Sequence, residues 1–341
     1  GYEQLGTWVF DGDSQHSHTC LQAIHALLGD DVNVRAVRGM ESSRCKKHDG
    51  FDDAVEIARE SDAALLFLGE ESILSGEAHC RANIDLPGNQ AQLIEAIAAT
   101  GTPITLVVMA GRPLTLGSIL DRVDALLYAW HPGTMGGPAI VDLLFGMESP
   151  SGKLPVSFPR MVGQVPIYYS RKNTGRPPAP DKVTHIDDID GQAVQTSLGM
   201  SAFHLDAGFT PLFPFGYGLS YSNFEYRDIA LSADRIVPGE TLEVSAALQN
   251  TGAYEAEEVV QLYIRDLVGN VTRPVKELKG FQRIRLEPGQ TQKVSFNLHT
   301  DDLAFFNRKM QRVIEPGDFH AWIGGSSDAE LRCEFKLVEA L

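Results

Sequence analysis

Asp62-Ala63-Ala64-Leu65-Leu66-Phe67-Leu68-Gly69 is a short apolar run entered from an acidic residue and closed by a glycine. A run of this length without polar alternation reads as a strand buried on both faces, the habit of a parallel sheet sandwiched between helices. Ile104-Thr105-Leu106-Val107-Val108-Met109 and Ala125-Leu126-Leu127-Tyr128-Ala129-Trp130 repeat the pattern. Between the first two runs, from Asn89 to Thr100, Leu93, Ile94 and Ile97 recur at helical spacing and Gly101 ends the segment. A second helix is expected from about Pro138 to Phe145. The alternation from Thr19 to Met161 therefore predicts an α/β sandwich domain, a mostly parallel sheet with helices on both faces.

Ahead of the first run, Gly1 to Asp13 reads as a polar, aromatic loop that leads into a helix-like stretch, Ser17 to Leu28. An α/β domain usually opens with a buried strand, so a first strand is expected to be missing. On the other side, Pro166 to Leu212 is rich in Pro, Gly, Asp, Ser and Thr and reads as a long connecting loop. The segment Phe213-Pro214-Phe215-Gly216-Tyr217-Gly218-Leu219-Ser220-Tyr221 carries too many aromatics for a free linker and is expected to pack. After Tyr226 the period changes to two. Leu242 to Leu248, Val259 to Ile264, Lys293 to Leu298 and Phe319 to Ile323 are short strands set among Pro-Gly and Asn-Thr-Gly turns. This half is expected to be an all-β, antiparallel sandwich of immunoglobulin or fibronectin III-like kind. The expected division is an α/β domain over 1–165, a connecting segment over 166–225 and the sandwich over 226–341. No internal repeat is visible.

A chain of 341 residues is long enough for two domains, each with its own core. No apolar run approaches the roughly 18 residues that span a bilayer, so no membrane insertion is expected. With 29 Lys+Arg against 45 Asp+Glu, the surface field repels phosphate backbones, which argues against nucleic acid as a partner. Cys20, Cys45, Cys80 and Cys333 form no CxxC pair, and the ten histidines show no ligand spacing, so no metal site is expected. No secretion signal is visible after Gly1.

Several segments, in shared order, resemble the C-terminal part of family 3 glycoside hydrolases, particularly bacterial β-glucosidases. They are Trp130-His131-Pro132-Gly133-Thr134-Met135-Gly136-Gly137-Pro138-Ala139, Leu144 to Pro159, and the aromatic segment beginning at Phe213. In the second half, Asn250-Thr251-Gly252, Val259 to Tyr263, Arg273 to Phe281 and Glu315-Pro316-Gly317 are similar to that family's fibronectin-like domain. The resemblance implies retaining hydrolysis of terminal β-linked glucose from β-glucosides or cello-oligosaccharides. It needs two carboxyl groups and no cofactor.

In the family an N-terminal barrel carries the aspartate nucleophile in a Ser-Asp-Trp-like context, and no Asp-Trp dipeptide occurs here. The nucleophile is therefore expected on an absent N-terminal barrel, and this chain alone is expected to be inactive. The acid/base motif resembles Ser75-Gly76-Glu77-Ala78-His79-Cys80-Arg81 and maps the role onto Glu77, with Glu70 and Glu71 as the neighbouring carboxylates that could take it instead. Arg81 is expected to orient a carboxylate or to contact sugar hydroxyls; a structural ion pair would use it equally well. Gly6-Thr7-Trp8 resembles the segment whose indole lines the leaving-group subsite, although such a Trp can also cover the edge of a core. The loop Gly133-Thr134-Met135-Gly136-Gly137 matches neither GxGxxG nor a P-loop and reads as tight strand-to-helix packing. The resemblance also implies a periplasmic or secreted location. A β-xylosidase, a non-catalytic carbohydrate-binding module, or a structural module that docks the barrel or forms a homo-oligomer are the competing readings.

Overall fold

The computed structural model describes residues 1–195 and 197–339, which form two compact units. The first comprises 1–148 and 159–165; the second comprises 149–158 and 166–341, so the connecting segment clusters with the sandwich.

In the first unit a three-stranded sheet runs β1 (Ala64–Gly69), β2 (Ile104–Met109), β3 (Ala125–Tyr128), in that spatial order and all parallel. Four nine-residue helices accompany it: α1 (Cys20–Leu28), α2 (Phe51–Arg59), α3 (Gln90–Ala98) and α4 (Gly136–Leu144). Successive side chains on a strand point to opposite faces. Phe67 of β1 and Val107 of β2 accordingly pack with Cys20 and Ile140 of α1 and α4. Leu66, Leu68 and Ile104 turn the other way, against Phe51, Ala54 and Ala58 of α2 and Leu93 and Ile97 of α3. This double burial is why the strands read as unbroken apolar runs. Burying each such side chain fully stabilises the fold by about 1.5–3 kcal/mol.

Local chemistry sets the helix ends. Thr19 caps α1 in a capping box with Gln22, the Gln22 main-chain amide donating to the Thr19 hydroxyl at 3.3 Å and the Thr19 main-chain amide to the Gln22 side-chain Oε1 at 2.9 Å. The glycine-rich loop behaves as the tight-packing reading requires. Gly137 N–H donates to the His18 carbonyl at 3.0 Å, and a Cβ at 137 would collide with the 18–19 main chain. Helix α2 is not among the expected helices: four of its nine residues are charged, and its buried positions are Phe51 and two alanines, which give a weak apolar signal. β1 lies at one edge of the sheet, and its outer side has no neighbouring strand among the described residues. All of Ala64 to Leu68 is half-buried, although the run has the composition of a central strand.

The second unit is a β-sandwich. Its strands are β4 (Phe224–Leu231), β5 (Arg235–Ile236), β6 (Thr241–Asn250), β7 (Ala256–Asp266), β8 (Glu277–Leu286), β9 (Thr291–His299), β10 (Phe305–Phe306), β11 (Arg312–Val313), β12 (Gly317–Gly324) and β13 (Arg332–Leu337). A five-stranded sheet, β5-β13-β12-β7-β8, faces a three-stranded one, β4-β6-β9, and β10 and β11 form a short ribbon. Leu242, Val244, Ala246 and Leu248 alternate inward on β6 and meet Val260, Leu262 and Ile264 of β7 in one core. The expected antiparallel pairing has one exception, the two-residue parallel contact between β5 and β13. The aromatic segment packs as expected: Phe213 stacks on Tyr217 at 5.2 Å, and Phe215 on Tyr169 at 4.3 Å.

Candidate active site

The loops that leave the carboxyl ends of β1, β2 and β3 meet at one end of the first unit, where α/β sheets ordinarily carry their chemistry. The loop after β1 holds Glu70, Glu71 and Glu77; the loop after β2 holds Arg112; Trp130 and His131 follow β3.

The three glutamates differ sharply. Glu70 is fully buried, its side chain 0% exposed, and it pairs with Arg81 and with Arg112, whose Nε lies 2.9 Å from Oε2. The Glu71 carboxylate accepts from Arg44 Nε and from the Ser43 hydroxyl, both at 2.7 Å. That bonded guanidinium holds its carboxyl below the usual carboxylate range. Glu77 is exposed, and its carboxylate has no hydrogen-bond or ion-pair partner among the described residues.

Glu77 sits at the tip of a tight turn. His79 N–H returns to the Gly76 carbonyl at 3.2 Å, and Ala78 takes a positive φ of 63°, a position usually given to glycine or asparagine. A non-glycine residue held there is a local strain of the kind that collects at functional sites. Gly76 is itself at φ +120°, with Thr7 Cγ2 2.6 Å from where a Cβ would stand, so any side chain at 76 would push the loop outward.

The segment 1–13 braces this loop from the side. The Thr7 hydroxyl lies between the Ser72 and Ser75 carbonyls, 2.7 Å from the latter, and the Glu3 carboxylate accepts from the Ser72 amide. Gln4, buried, donates to the His18, Gly133 and Thr134 carbonyls at 3.0–3.3 Å, tying the same segment to the loop after β3. Trp8 follows Thr7 directly, so the structure brings it to the end of the unit that carries Glu77. Its indole is 60% exposed and meets Phe10 edge-on at 6.2 Å, so it is not sealed into the core.

His131 lies beneath. Its two ring nitrogens are buried without a hydrogen-bond partner, and burial pushes its pKa below the ordinary value although the Glu70 and Glu3 charges oppose this. A Cβ on Gly6 or on Gly111 would come within 2.7 Å of the ring, so both glycines make room for it. His131 lies in the Trp130 to Ala139 segment that carries the resemblance, but no role for it is read from the sequence, and no motif marks Arg112. Arg81 was, and its guanidinium is committed to Glu70 and, at 2.9 Å, to the Asp85 carbonyl. Among the described residues no group of three or more His, Cys, Asp or Glu side chains could hold a metal ion.

An α/β unit with a carboxylate loop at its strand ends, followed by a fibronectin-like sandwich, defines the class. Residues 1–221 match the Glycosyl hydrolase family 3 C-terminal domain, and residues 258–327 match the Fibronectin type III-like domain. The chain belongs to glycoside hydrolase family 3. It is 37% identical to a periplasmic β-glucosidase of Salmonella typhimurium, over 98% of this chain and 44% of the relative. It is also 37% identical to a β-xylosidase of Formosa agariphila, over 96% of this chain and 42% of that protein. The solved β-glucosidase of Listeria innocua in complex with isofagomine superposes with a TM-score of 0.88 at 31% identity, covering 100% of this chain and 45% of that one. The chain thus spans less than half the length of these relatives.

Proposed function

We propose that this chain is the C-terminal part of a retaining β-glucosidase that removes terminal β-linked glucose from β-glucosides or cello-oligosaccharides. Glu77 is its general acid/base, and the aspartate nucleophile lies on an N-terminal barrel preceding Gly1. The observation that carries this reading is the isolation of the Glu77 carboxylate. Retaining hydrolysis needs a carboxyl group able to give a proton to the leaving oxygen and then take one from water. Glu70 and Glu71 have their oxygens committed to guanidinium donors. Glu77, exposed at a strained turn, is the one of the three free to do so.

In the assembled protein the Glu77 carboxyl and the barrel aspartate would stand about 5–5.5 Å apart across the scissile bond. Trp8 offers an aromatic face to the sugar or aryl group on the leaving side, and Arg81 orients Glu70 rather than touching substrate. The outer side of β1, open among the described residues, is where a strand from the preceding segment would pair. The β-xylosidase reading keeps its place because the Formosa relative is as similar as the Salmonella one.

The purified chain alone is expected not to hydrolyse 4-nitrophenyl β-glucoside, and the full-length protein is expected to hydrolyse it, releasing glucose first as the β anomer in an NMR time course. Full-length rates from the chain alone would overturn the placement of the nucleophile, and an α anomer released first would overturn retention. Faster turnover of the β-xyloside would make it a xylosidase. A full-length protein with no turnover would be a carbohydrate-binding or structural module, which calorimetry with cellobiose would separate. We also infer a periplasmic or secreted location, supported by the name of the Salmonella relative. No helix among the described residues is long and apolar enough to cross a membrane. Activity confined to the cytoplasmic fraction of the source cells would refute that location.

A further inference from the structure

We propose that Arg112 is a positioning residue for the acid/base, stapling the two limbs of the Glu77 loop to the end of β2; this rests on the reading of Glu77 given above. The main chain sets up the contact. Gly69 and Met109 are register partners on β1 and β2, and the Glu70 amide continues the ladder to the Met109 carbonyl at 2.9 Å. Glu70 and the 110–112 turn therefore leave the sheet side by side. Tyr128 of β3 donates its hydroxyl to the Arg112 carbonyl, which fixes the arginine from the far side.

A guanidinium has five donors in a rigid fork, and an isolated ion pair would occupy two of them. Arg112 gives Nε to Glu70. Its Nη2 goes to two main-chain carbonyls, that of Leu74, three residues before Glu77, and that of His79, two residues after it, the latter at 3.0 Å. Arg81, on the same Glu70 carboxylate, holds the Asp85 carbonyl further along. Both arginine side chains are under 20% exposed, so these bonds are made with little competition from water. A loop tip pinned on both sides of its carboxylate presents that carboxylate in one place. Misplacing a catalytic group by about 1 Å can slow a reaction roughly 100-fold.

The test uses the full-length protein with Arg112→Gln and Arg112→Lys, each assayed on cellobiose and on 2,4-dinitrophenyl β-glucoside. Proton donation matters greatly for the first leaving group and little for the second. Arg112→Gln is expected to lower kcat/KM for cellobiose by about 100-fold, the scale of such a misplacement, while glycosylation by the activated glucoside changes little. Arg112→Lys, which keeps the charge but lacks the fork, is expected to show the same selectivity in weaker form. Should the Gln variant fail to fold, as its melting curve would show, the Lys variant carries the comparison. In the double variant Glu77→Ala/Arg112→Gln, the loss on cellobiose is expected to be no larger than for Glu77→Ala alone. Equal losses on both substrates, additive losses in the double variant, or wild-type rates for a folded Arg112 variant would overturn the positioning role. A Glu77→Ala variant without leaving-group selectivity would instead overturn the acid/base reading itself.

Discussion

Glu77→Ala in the full-length protein is expected to slow cellobiose hydrolysis by about 100- to 10,000-fold, the range that general acid/base catalysis contributes. The damage should be selective. A departing glucose oxygen is a poor leaving group without a proton, whereas a dinitrophenolate leaves unaided, so activated aryl glucosides keep much of their glycosylation rate. Hydrolysis of the glycosyl-enzyme then becomes limiting, because water attacks slowly without a base to take its proton. Azide is expected to restore turnover. It is already an anion, so it attacks the anomeric carbon directly, the C–O bond to the nucleophile's carboxylate breaks, and the product is β-glucosyl azide. Steady-state rates with and without azide, together with NMR of the product, check this. Unchanged cellobiose hydrolysis, or azide rescue in Glu70→Ala or Glu71→Ala instead, would move the role to another residue.

Glu70→Gln is expected to destabilise the protein by about 3–5 kcal/mol, as removing one member of a buried ion pair does. The amide cannot neutralise Arg81 and Arg112, whose side chains are 19% and 17% exposed, so two guanidiniums would be left poorly solvated against each other. Urea unfolding of the full-length wild-type and variant proteins measures the difference. A loss under about 1 kcal/mol, the scale of solvent-exposed pairs, would mean that water reaches the cluster and screens it. The same buried cluster is weak evidence for stability as such, since an apolar replacement of all three side chains can be neutral or stabilising. Its retention in this chain is better explained by the carbonyls it holds than by the stability it adds.

The sequence was legible where a single periodicity governed a segment. β2 is found at its expected bounds, β1 within two residues and β3 two residues shorter, because the two faces of each strand are both apolar and leave no competing pattern. β4, β8 and β13, and the two-residue β5, β10 and β11, are not among the expected strands. On β8, exposed Phe281, Arg283 and Arg285 interrupt the apolar signal, as befits a strand with one face in water. The candidate site was legible only along the chain. Glu77 and Arg81 sit in one recognisable motif, but the carboxylate that Arg81 pairs with is eleven residues upstream, and Arg112 reaches the loop from 33 residues beyond His79. No local pattern encodes that contact, which exists because parallel strands β1 and β2 deliver their carboxyl ends together. The burial of His131 without a hydrogen-bond partner is likewise invisible in a linear reading, although the residue sits in a recognisable segment, since the space for its ring depends on glycines at 6 and 111.

The outer side of β1, unaccompanied among the described residues, bears on how the isolated chain is expected to associate in solution. Its main-chain donors and acceptors form a template on which a second copy's β1 can add, edge to edge. At neutral pH the 45 acidic side chains against 29 basic ones keep copies apart by mutual repulsion. Salt shortens the range of that repulsion, and acidification to the isoelectric point, about 5.0, removes it, whereas stronger acid makes the chain cationic and restores it. Dilute, low-salt, neutral buffers are therefore expected to keep this seam dispersed, and concentrated solutions near the isoelectric point to favour association, which light scattering across pH and salt would check.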